Sequence, residues 1–279
     1  AQSSWPASFA RMIPTLGRNP FESITYTTKI KQLLCLILPH RRIIRQSRHQ
    51  EDAVQLAIFD LDNTLLGGDS DYLWGQHLME KGAVPRARFE EDNQRFMRDY
   101  EAGRLDIGTF LQFALKPLAD MPYDTLCEWR REFIDAHIRP RILPAARALV
   151  EDHRSRGHGL MIITATNRFI TEPIAELFNI PVLLATEPEF SNGAFTGRHR
   201  GVPTFREGKI TALQQWLDDE GRMMEAMHFY SDSQNDLPLL AHVDHPVAVD
   251  PDPVLEAAAR ERGWPVMTLR DGEAPRVLT

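Results

Sequence analysis

The sequence of 279 residues contains little cysteine and no long hydrophobic segment. Its two cysteines, Cys35 and Cys127, are too few for a disulfide framework or a multi-cysteine metal site. The longest apolar run, residues 33–39, is far shorter than the ~18 residues that a membrane-spanning helix needs. These absences exclude the disulfide-rich secreted domains and predict a cytoplasmic protein without stable membrane insertion.

The charge of the chain is unevenly distributed. The whole sequence carries −7, which argues against a general nucleic-acid binder. Residues 1–50 contain eight Lys or Arg and one acidic residue, Glu22, so this segment carries +7 and the rest of the chain −14. Residues 1–53 are therefore predicted to be a basic N-terminal extension. It is either a presequence, a weakly ordered segment that folding does not need, or, over residues 33–44, an amphipathic helix that contacts a membrane.

From residue 54 onward, short apolar runs alternate with helical segments. This alternation is typical of a parallel sheet with helices on both faces. Such sheets have their active sites at the carboxyl ends of the strands, where Asp60, Thr164 and Asp232 stand in this sequence. Strands are predicted over residues 54–59, 159–163, 182–185, 226–230 and 247–249, and helices over 143–156, 169–178 and 209–220.

One long segment, residues 69–143, lacks any strand pattern. Helices are predicted there over residues 69–81, 86–101, 106–118 and 124–138. Because this helical module follows directly after Asp60, it is expected to form a lid over the site, although it can also be read as a helical part of the core. Residues 189–205 contain Ser-Asn-Gly and Thr-Gly turns and predict a β-hairpin.

Two carboxylates stand at the end of the first predicted strand, in the motif Asp60-Leu61-Asp62-Asn63-Thr64. Side chains two residues apart at a strand end can face one pocket, and both can approach Mg²⁺, which takes carboxylate, water and phosphate oxygens. One carboxylate can then attack phosphorus while the other transfers the proton. The same residue types also favour polar turns and helix caps, so the motif does not decide the function by itself.

Three further motifs follow in chain order. Thr164 ends the second strong strand, where its hydroxyl and the amide of Ala165 can hold a phosphate oxygen at the start of a helix. Lys209 lies at a helix N-terminus, where a cation opposes the helix dipole, so a functional role is favoured. Asp232 and Asp236 follow the third strand and suit a metal site. Each motif alone also has a structural interpretation as a cap or a turn.

In this combination and order, the four motifs resemble those of the haloacid dehalogenase superfamily of aspartate-nucleophile phosphatases. The helical segment between the first two motifs is similar to the cap of the phosphoserine-phosphatase-like branch. The resemblance covers about residues 54–270. It implies a Rossmann-like α/β core, residues 54–68 and 144–279, with helices on both faces of a parallel sheet and an inserted α-helical cap, residues 69–143.

The resemblance also implies a role for each motif residue. Asp60 would be the nucleophile and a metal ligand. Asp62 would be the general acid and base and would give the metal its backbone carbonyl. Thr164, with the amide of Ala165, would hold the phosphoryl group, and Lys209 would neutralise its charge.

The last motif would complete the site. Asp232 would bind Mg²⁺, the expected cofactor, Asp236 would support the metal shell, and Asn235 would contact the phosphate. Because Asp62 can protonate a leaving alcohol, hydrolysis of a phosphomonoester is the favoured reaction. The expected partner is a small phosphorylated metabolite, not a nucleic acid, and the oligomeric state is left open.

The substrate is predicted from the start of the inserted helices. In phosphoserine phosphatases of this type an acid nine residues after the nucleophile binds the substrate ammonium. That position is Asp69 here, with Asp71 beside it, and both can also be a helix cap and a first-turn acid. The family's carboxylate-binding arginine aligns with Ala114, although Arg104 or Lys116 could substitute. An acid without a carboxylate partner suits an amino-alcohol phosphate, so L-histidinol phosphate is favoured over phosphoserine.

Several alternatives remain at this point. Tyr72, Trp74 and His77 on the first inserted helix could contact an imidazole or belong to the core of the insertion. A phosphotransferase, another small-phosphomonoester phosphatase or a membrane-linked lipid-phosphate enzyme would use the same motifs. A phosphate-binding protein without activity would be expected to lack Asp60 or Lys209, and both are present.

Overall fold

The computed structural model describes residues 54–221 and 224–278. The predicted basic extension over residues 1–53, including Cys35 and the segment 33–44, lies outside the described residues. Within those two ranges, none of the helices is both long enough and apolar enough to cross a membrane.

The described strands form one mixed sheet in the order β4-β3-β2-β1-β5-β6-β7-β8. The six central strands of this order, β3, β2, β1, β5, β6 and β7, pair in parallel with one another. The strands β4 and β8 are antiparallel and form the two edges of the sheet. The predicted parallel sheet is confirmed. The strands are β1 (Val54–Phe59), β2 (Gly159–Asn167), β3 (Val182–Ser191), β4 (Ala194–Arg200), β5 (Met224–Ser231), β6 (His245–Val249), β7 (Val266–Thr268) and β8 (Arg276–Val277).

The central strand β1 explains why helices cover both faces of the sheet. Leu56 and Ile58 point into one apolar cluster, and Ala57 and Phe59 into another. All four side chains are at most 1% exposed. Burying a Leu, Ile or Phe side chain stabilises a fold by roughly 1.5–3 kcal/mol. A strand that is apolar on both sides therefore requires a layer of helices against each face.

Four helices, a π-helical turn and a 3₁₀ turn lie in the chain between β1 and the rest of the core. The four helices begin close to the predicted positions. The last predicted helix, 124–138, is shorter than expected. It ends at Phe133 and continues as a π-helical turn, Ile134–Ile138, and a 3₁₀ turn, Arg139–Arg141. The helices are α1 (Ser70–Glu80), α2 (Arg86–Glu101), α3 (Ile107–Asp120), α4 (Tyr123–Phe133), α5 (Pro144–Ser155), α6 (Arg168–Leu177), α7 (Glu207–Glu220), α8 (Leu237–Leu240) and α9 (Pro253–Arg262).

Two local predictions differ from the structure. The hairpin starts earlier than predicted, because β3 begins at Val182, and it turns at Asn192 and Gly193, which both have positive φ. The Thr-Gly pair is not a turn: Gly197 lies inside β4, where its φ is +78° and Ala119 of α3 is close to it. Strand β2 continues past Thr164 to Asn167 with an irregular register against β3.

Four histidines meet around the start of the central strands. His153 on α5 forms two hydrogen bonds through its ring. Its Nδ1 is 2.8 Å from Nδ1 of His158, and its Nε2 is 2.8 Å from the Tyr230 hydroxyl. The His228 ring stacks on His245 with centroids 4.4 Å apart. Burial, with repulsion from the neighbouring histidines, lowers the pKa of both His153 and His228 to about 4. These imidazoles are therefore held in the neutral form.

We expect His153 and His228 to destabilise the fold as the pH falls from about 6.5 to about 4. In that window the unfolded chain binds protons at these two histidines that the folded chain does not bind, so their contribution to the free energy of unfolding decreases. Buried carboxyl groups with a raised pKa, such as Asp60, contribute with the opposite sign over the same window. Thermal unfolding of the wild type and of His228→Gln at a series of pH values isolates the histidine contribution to this slope. Relative to the wild type, His228→Gln should gain stability as the pH falls through this window, whereas His242→Gln, at an exposed histidine, should follow the wild type. Equal slopes in the wild type and His228→Gln would contradict the assignment.

Candidate active site

Asp60 is held at the carboxyl end of β1 by the backbone of the neighbouring strand. Its amide donates to the carbonyl of Tyr230 at 2.9 Å, so the carboxylate is fixed where the sheet ends. The chain then reverses through Asn63, which has φ +58°, a conformation that asparagine adopts more readily than most residues. The Asn63 amide closes this loop on the carbonyl of Gly68 at 3.0 Å.

A buried lysine lies between two carboxylates. Lys209 is in the first turn of α7, and its Nζ is 2.7 Å from Oδ1 of Asp60 and 2.7 Å from Oδ2 of Asp236. The lysine is only 2% exposed. Its two partners raise its pKa and outweigh the loss of hydration, which acts in the opposite direction. The amine is therefore a fixed positive charge beside Asp60.

The position of Lys209 depends on the glycine before it. A Cβ at Gly208 would lie 1.9 Å from the backbone carbonyl of Pro203, a distance that no side chain can adopt. The tight turn that leads into α7 is also closed by hydrogen bonds from the amides of Gly208 and Lys209 to Phe205 and Arg206, both at 2.9 Å.

Thr64 connects the first and the last motif. Its hydroxyl donates to Oδ1 of Asp232 at 2.9 Å and lies 3.5 Å from Oδ2 of Asp60, and it accepts the amide of Asp232 at 3.1 Å. Burial raises the pKa of Asp60 to about 7, and repulsion from Asp236 and Asp62 adds to this against the attraction of Lys209. Burial and repulsion from Asp60 also raise the pKa of Asp232.

The donor chemistry of this cluster fits a divalent cation that prefers oxygen ligands. Asp60 and Asp232 face the same hydroxyl group, that of Thr64. The single positive charge of Lys209 does not balance the charges of Asp60, Asp232 and Asp236 together. Carboxylates forced together in this way are relieved by a hard cation such as Mg²⁺. Asp236 contributes less directly, because its Oδ2 already accepts from Lys209 and from the Ser231 hydroxyl at 2.7 Å.

Asp62 is held apart from Asp60 by its own donors. Its Oδ1 accepts the amide of Ser70 at 2.6 Å, and its Oδ2 accepts the Thr166 hydroxyl at 2.8 Å. Burial and repulsion from Asp69 raise its pKa to about 6, against these hydrogen bonds. A carboxyl group with this pKa can give and take a proton near neutral pH.

The carboxyl end of β2 is held by a chain of threonines. The Thr164 hydroxyl lies 3.4 Å from Oδ2 of Asp62 and accepts the amide of Thr166 at 3.2 Å. Two further threonines hold the backbone here. The hydroxyl of Thr204 donates to the carbonyl of Thr164 at 2.6 Å, and the hydroxyl of Thr186 donates to the carbonyl of Ala165 at 2.8 Å. Sequence reasoning missed Thr166, Thr186 and Thr204.

A pocket of about 590 Å³, counting the part open to solvent, lies between these loops and the inserted helices. One end is acidic and the wall is largely aromatic and aliphatic. Among the described residues that line it there is no arginine or lysine. The lining residues are Asp60, Asp62, Asp69, Asp71, Tyr72, Asn93, Phe96, Met97, Tyr100, Leu105, Ile107, Phe110, Thr164, Ala165, Thr166 and Phe205.

Asp69 and Asp71 form the acidic end of the pocket. Asp69 is also the N-cap of α1, because its Oδ1 accepts the Tyr72 amide at 2.8 Å. Asp71 has a weaker contact, with Nδ2 of Asn167 at 3.5 Å. Burial, together with the neighbouring carboxylates, raises the pKa of each to about 7. A positively charged group in the pocket would be attracted by both.

Other residues considered from the sequence lie elsewhere. Trp74 and His77 are buried and do not line the pocket, in contrast to Tyr72. Ala114 is also outside it. Neither alternative cation is in the pocket: Arg104 pairs with Asp99 and Lys116 with Asp120 on the surface.

Three core side chains hold the end of α2. Asn235 donates from Nδ2 to the carbonyl of Tyr100 at 3.0 Å, and Gln234 donates to that of Glu101 at 2.7 Å. Arg206 donates to the carbonyl of Gly103 and, through Nε, to Oδ1 of Asn235 at 3.1 Å. Asn235 is therefore engaged with the insertion and does not line the pocket.

Arg206 was not identified from the sequence. Its φ is +52°, which is unusual for a residue with a long side chain, and such strain is concentrated at functional sites.

Comparison with known proteins identifies the family of this chain. Residues 57–241 match the family model of the haloacid dehalogenase-like hydrolases. The chain is 48% identical over 219 residues to a histidinol-phosphatase of Neisseria meningitidis serogroup C, covering 77% of this chain and 99% of that protein.

Two solved structures share the fold. A Bordetella pertussis Tohama I protein, described as of unknown function, is 40% identical with a TM-score of 0.74, over 78% of this chain and 100% of that one. A phosphoserine phosphatase with an analogue of its phospho-aspartyl intermediate is 17% identical with a TM-score of 0.59, over 79% and 95%.

The chain belongs to the haloacid dehalogenase-like hydrolase family. Within that family it is a phosphatase of the phosphoserine-phosphatase-like branch, a phosphoric monoester hydrolase that acts on a small phosphorylated compound.

We expect Arg206→Ala to lower kcat/KM by roughly 10- to 150-fold, because a charge-assisted hydrogen bond contributes ~1.5–3 kcal/mol. The loss removes the contacts to Gly103 and Asn235 that hold the end of α2 against the pocket. Steady-state kinetics with p-nitrophenyl phosphate measures it. Arg206→Lys should recover only part of the activity, since an ammonium lacks the planar fork of donors.

The matched control is Arg198→Ala, which removes an exposed arginine paired with Glu189 and should leave kcat/KM unchanged. If both alanine variants behave like the wild type, the contacts of Arg206 do not position the pocket.

Proposed function

We propose that this phosphatase hydrolyses L-histidinol phosphate with Mg²⁺ through an aspartyl-phosphate intermediate. The observation that carries the proposal is the pocket, in which two carboxylates and an aromatic wall stand beside Asp60 without an arginine or lysine among the described lining residues. The inserted helices, residues 69–143, act as the cap of this site, and residues 54–68 and 144–279 as its core.

Asp60, the backbone carbonyl of Asp62 and Asp232 would hold the metal ion. Two carboxylates and a carbonyl, together with water and a phosphate oxygen, make the all-oxygen set that Mg²⁺ prefers. When bound, Mg²⁺ neutralises charge on the phosphoryl group. Asp236 positions Lys209, and it supports the metal only indirectly.

In the first half-reaction, Asp60 attacks phosphorus and the bond to the leaving alcohol breaks. Lys209 holds one oxygen of Asp60, so the other oxygen is the nucleophile. Asp62 gives its proton to the leaving oxygen, and its pKa of about 6 keeps part of it protonated near neutral pH. Thr164 and the amide of Ala165 hold the transferring phosphoryl oxygens, where fixed donors are most effective.

In the second half-reaction, Asp62 takes a proton from water, and the resulting hydroxide attacks phosphorus of the aspartyl phosphate. The bond between phosphorus and Asp60 breaks, which releases inorganic phosphate and restores the Asp60 carboxylate and the protonated form of Asp62. The hydrogen bonds from Ser70 and Thr166 keep Asp62 in place during both proton transfers.

The choice of substrate follows from charge and shape. The ammonium group of an amino alcohol would face Asp69 and Asp71, with Asp71 the freer of the two because Asp69 caps α1. An imidazole would pack against the aromatic wall formed by Phe96, Phe110 and Phe205. A phosphoserine carboxylate would face the same acidic and apolar surface without a cation. The relative from Neisseria meningitidis bears the name histidinol-phosphatase.

Asp60→Asn should reduce turnover by at least ~10³-fold, as expected when a covalent nucleophile is removed, and should leave the thermal unfolding temperature close to that of the wild type. A chelator should silence the wild type, and Mg²⁺ should restore it. The control is Asp219→Asn, at an exposed aspartate of α7, which should keep the turnover of the wild type. Substantial turnover by Asp60→Asn, or full activity in chelator, would refute the mechanism.

The wild type should use histidinol phosphate with a higher kcat/KM than phosphoserine. Asp71→Asn should lower kcat/KM for histidinol phosphate by roughly 10- to 150-fold, while p-nitrophenyl phosphate, which has no ammonium, should be much less affected. Steady-state kinetics on the three substrates separates these effects, with Asp124→Asn, at an exposed aspartate of α4, as the control.

A preference for phosphoserine would show that a cation outside the described lining binds its carboxylate. Equal losses on histidinol phosphate and p-nitrophenyl phosphate would show that Asp71 supports the helix and does not bind the amine.

A further inference from the structure

A cluster of metal-binding side chains lies inside the helical insertion, away from the pocket. His77 and Glu80 are one turn apart on α1, and His137 lies on the π-helical turn that follows α4. Within the described part of the chain, these three are the set of histidine and acidic residues whose ligand atoms all lie within 4.8 Å of one another. None of them lines the pocket.

The ligand atoms are already close to the spacing of a metal site. Oε2 of Glu80 is 3.8 Å from Nδ1 of His77 and 3.5 Å from Nε2 of His137. Tetrahedral zinc with bonds of 2.0–2.2 Å separates its ligands by about 3.3 Å. These two distances are within about 0.5 Å of that spacing, and all three ligand atoms lie within 4.8 Å of one another.

His77 lacks any other partner for its ring nitrogens. The side chain is 5% exposed, and neither Nδ1 nor Nε2 has a hydrogen-bond partner among the described residues. Buried polar atoms are almost always paired, because leaving one unpaired costs free energy. Burial also lowers the pKa of His77, so that at neutral pH the ring has the free lone pair that a metal needs.

The local charge also favours a cation. Among the described residues Glu80 has no lysine or arginine partner, and the neighbouring Lys81 is paired with Glu132. The Glu80 side chain is 54% exposed, which leaves room for water as a fourth ligand. The π-helical turn that presents His137 is a rare conformation that is frequent at functional sites.

We propose that His77, Glu80 and His137 form a zinc-binding site within the helical insertion. Two imidazoles and one carboxylate select Zn²⁺ over Mg²⁺, which prefers oxygen ligands alone. The site is separate from the catalytic centre, since His77 lies six residues, about 9 Å, along α1 from Asp71. Bound zinc would link α1 to the end of α4, the first and last helices of the insertion.

The test measures zinc binding to the full chain by isothermal titration calorimetry, in excess Mg²⁺ so that the oxygen-ligand site is occupied. The wild type should bind one Zn²⁺ at this site, and Zn²⁺ at about 100 times its Kd should raise the unfolding temperature by about 5–10 °C. Glu80→Gln and His137→Gln should each weaken zinc binding by at least ~10- to 100-fold. Both side chains are partly exposed, so these variants should fold.

The control variant is His242→Gln, at an exposed histidine outside the insertion, which should bind zinc like the wild type. The proposal is overturned if the wild type binds no zinc under these conditions, or if Glu80→Gln and His137→Gln bind it as well as the wild type. It is also overturned if zinc binding is lost in His158→Gln instead, because the zinc would then belong to the histidine cluster near Tyr230.

Discussion

The buried contact of Lys209 with Asp60 and Asp236 is the constraint on which the site depends. An unpaired carboxylate at this depth would lose its charge, because burial alone raises its pKa. The attraction of the amine lowers the pKa of Asp60 against the effect of burial, and its hydrogen bond fixes which oxygen stays free. It also draws the loop after β5 toward the end of β1, so that Asp232 is brought beside Thr64. One short contact therefore aligns three separate loops.

The remaining acidic groups are separated by their hydrogen-bond donors. Asp62 accepts hydrogen bonds from the Ser70 amide and the Thr166 hydroxyl. Asp232 accepts one from the Thr64 hydroxyl, and Asp69 accepts one from the Tyr72 amide at the start of α1. Each carboxylate thus has a different environment, although all belong to one acidic region. Different environments are what allow neighbouring carboxylates to act as nucleophile, proton carrier and ligand.

Much of the fold and of the catalytic motifs could be predicted because their signals are local. The strand β1 is a short apolar run that ends in Asp60, and Lys209 is unfavourable for its helix end unless it has a partner. The extension of β2 to Asn167 could not be predicted in this way, since the strand resumes its pairing only at Asn167, opposite Thr186 of β3, after an irregular stretch.

The parts of the site that escaped prediction come from distant segments. Arg206 follows a turn whose backbone is unusual, and its partners Gly103 and Asn235 are about a hundred and about thirty residues away in sequence. The aromatic wall is assembled from α2, α3 and the loop before α7, and each of its phenylalanines alone resembles ordinary core. Asp69 illustrates the opposite case, because the structure makes it the helix cap that the sequence allowed and also places its side chain in the lining of the pocket.

The close approach of Pro203 to Gly208 has a consequence for how mutational data on this enzyme are interpreted. The carbonyl leaves no room for even a methyl group, so every substitution at this position displaces the turn that carries Lys209. A screen that scores only activity would therefore rank Gly208 with the catalytic residues, although it offers no side chain to the substrate. Chemical rescue with a free amine could restore a variant that lacks the lysine, but it could not repair a displaced backbone.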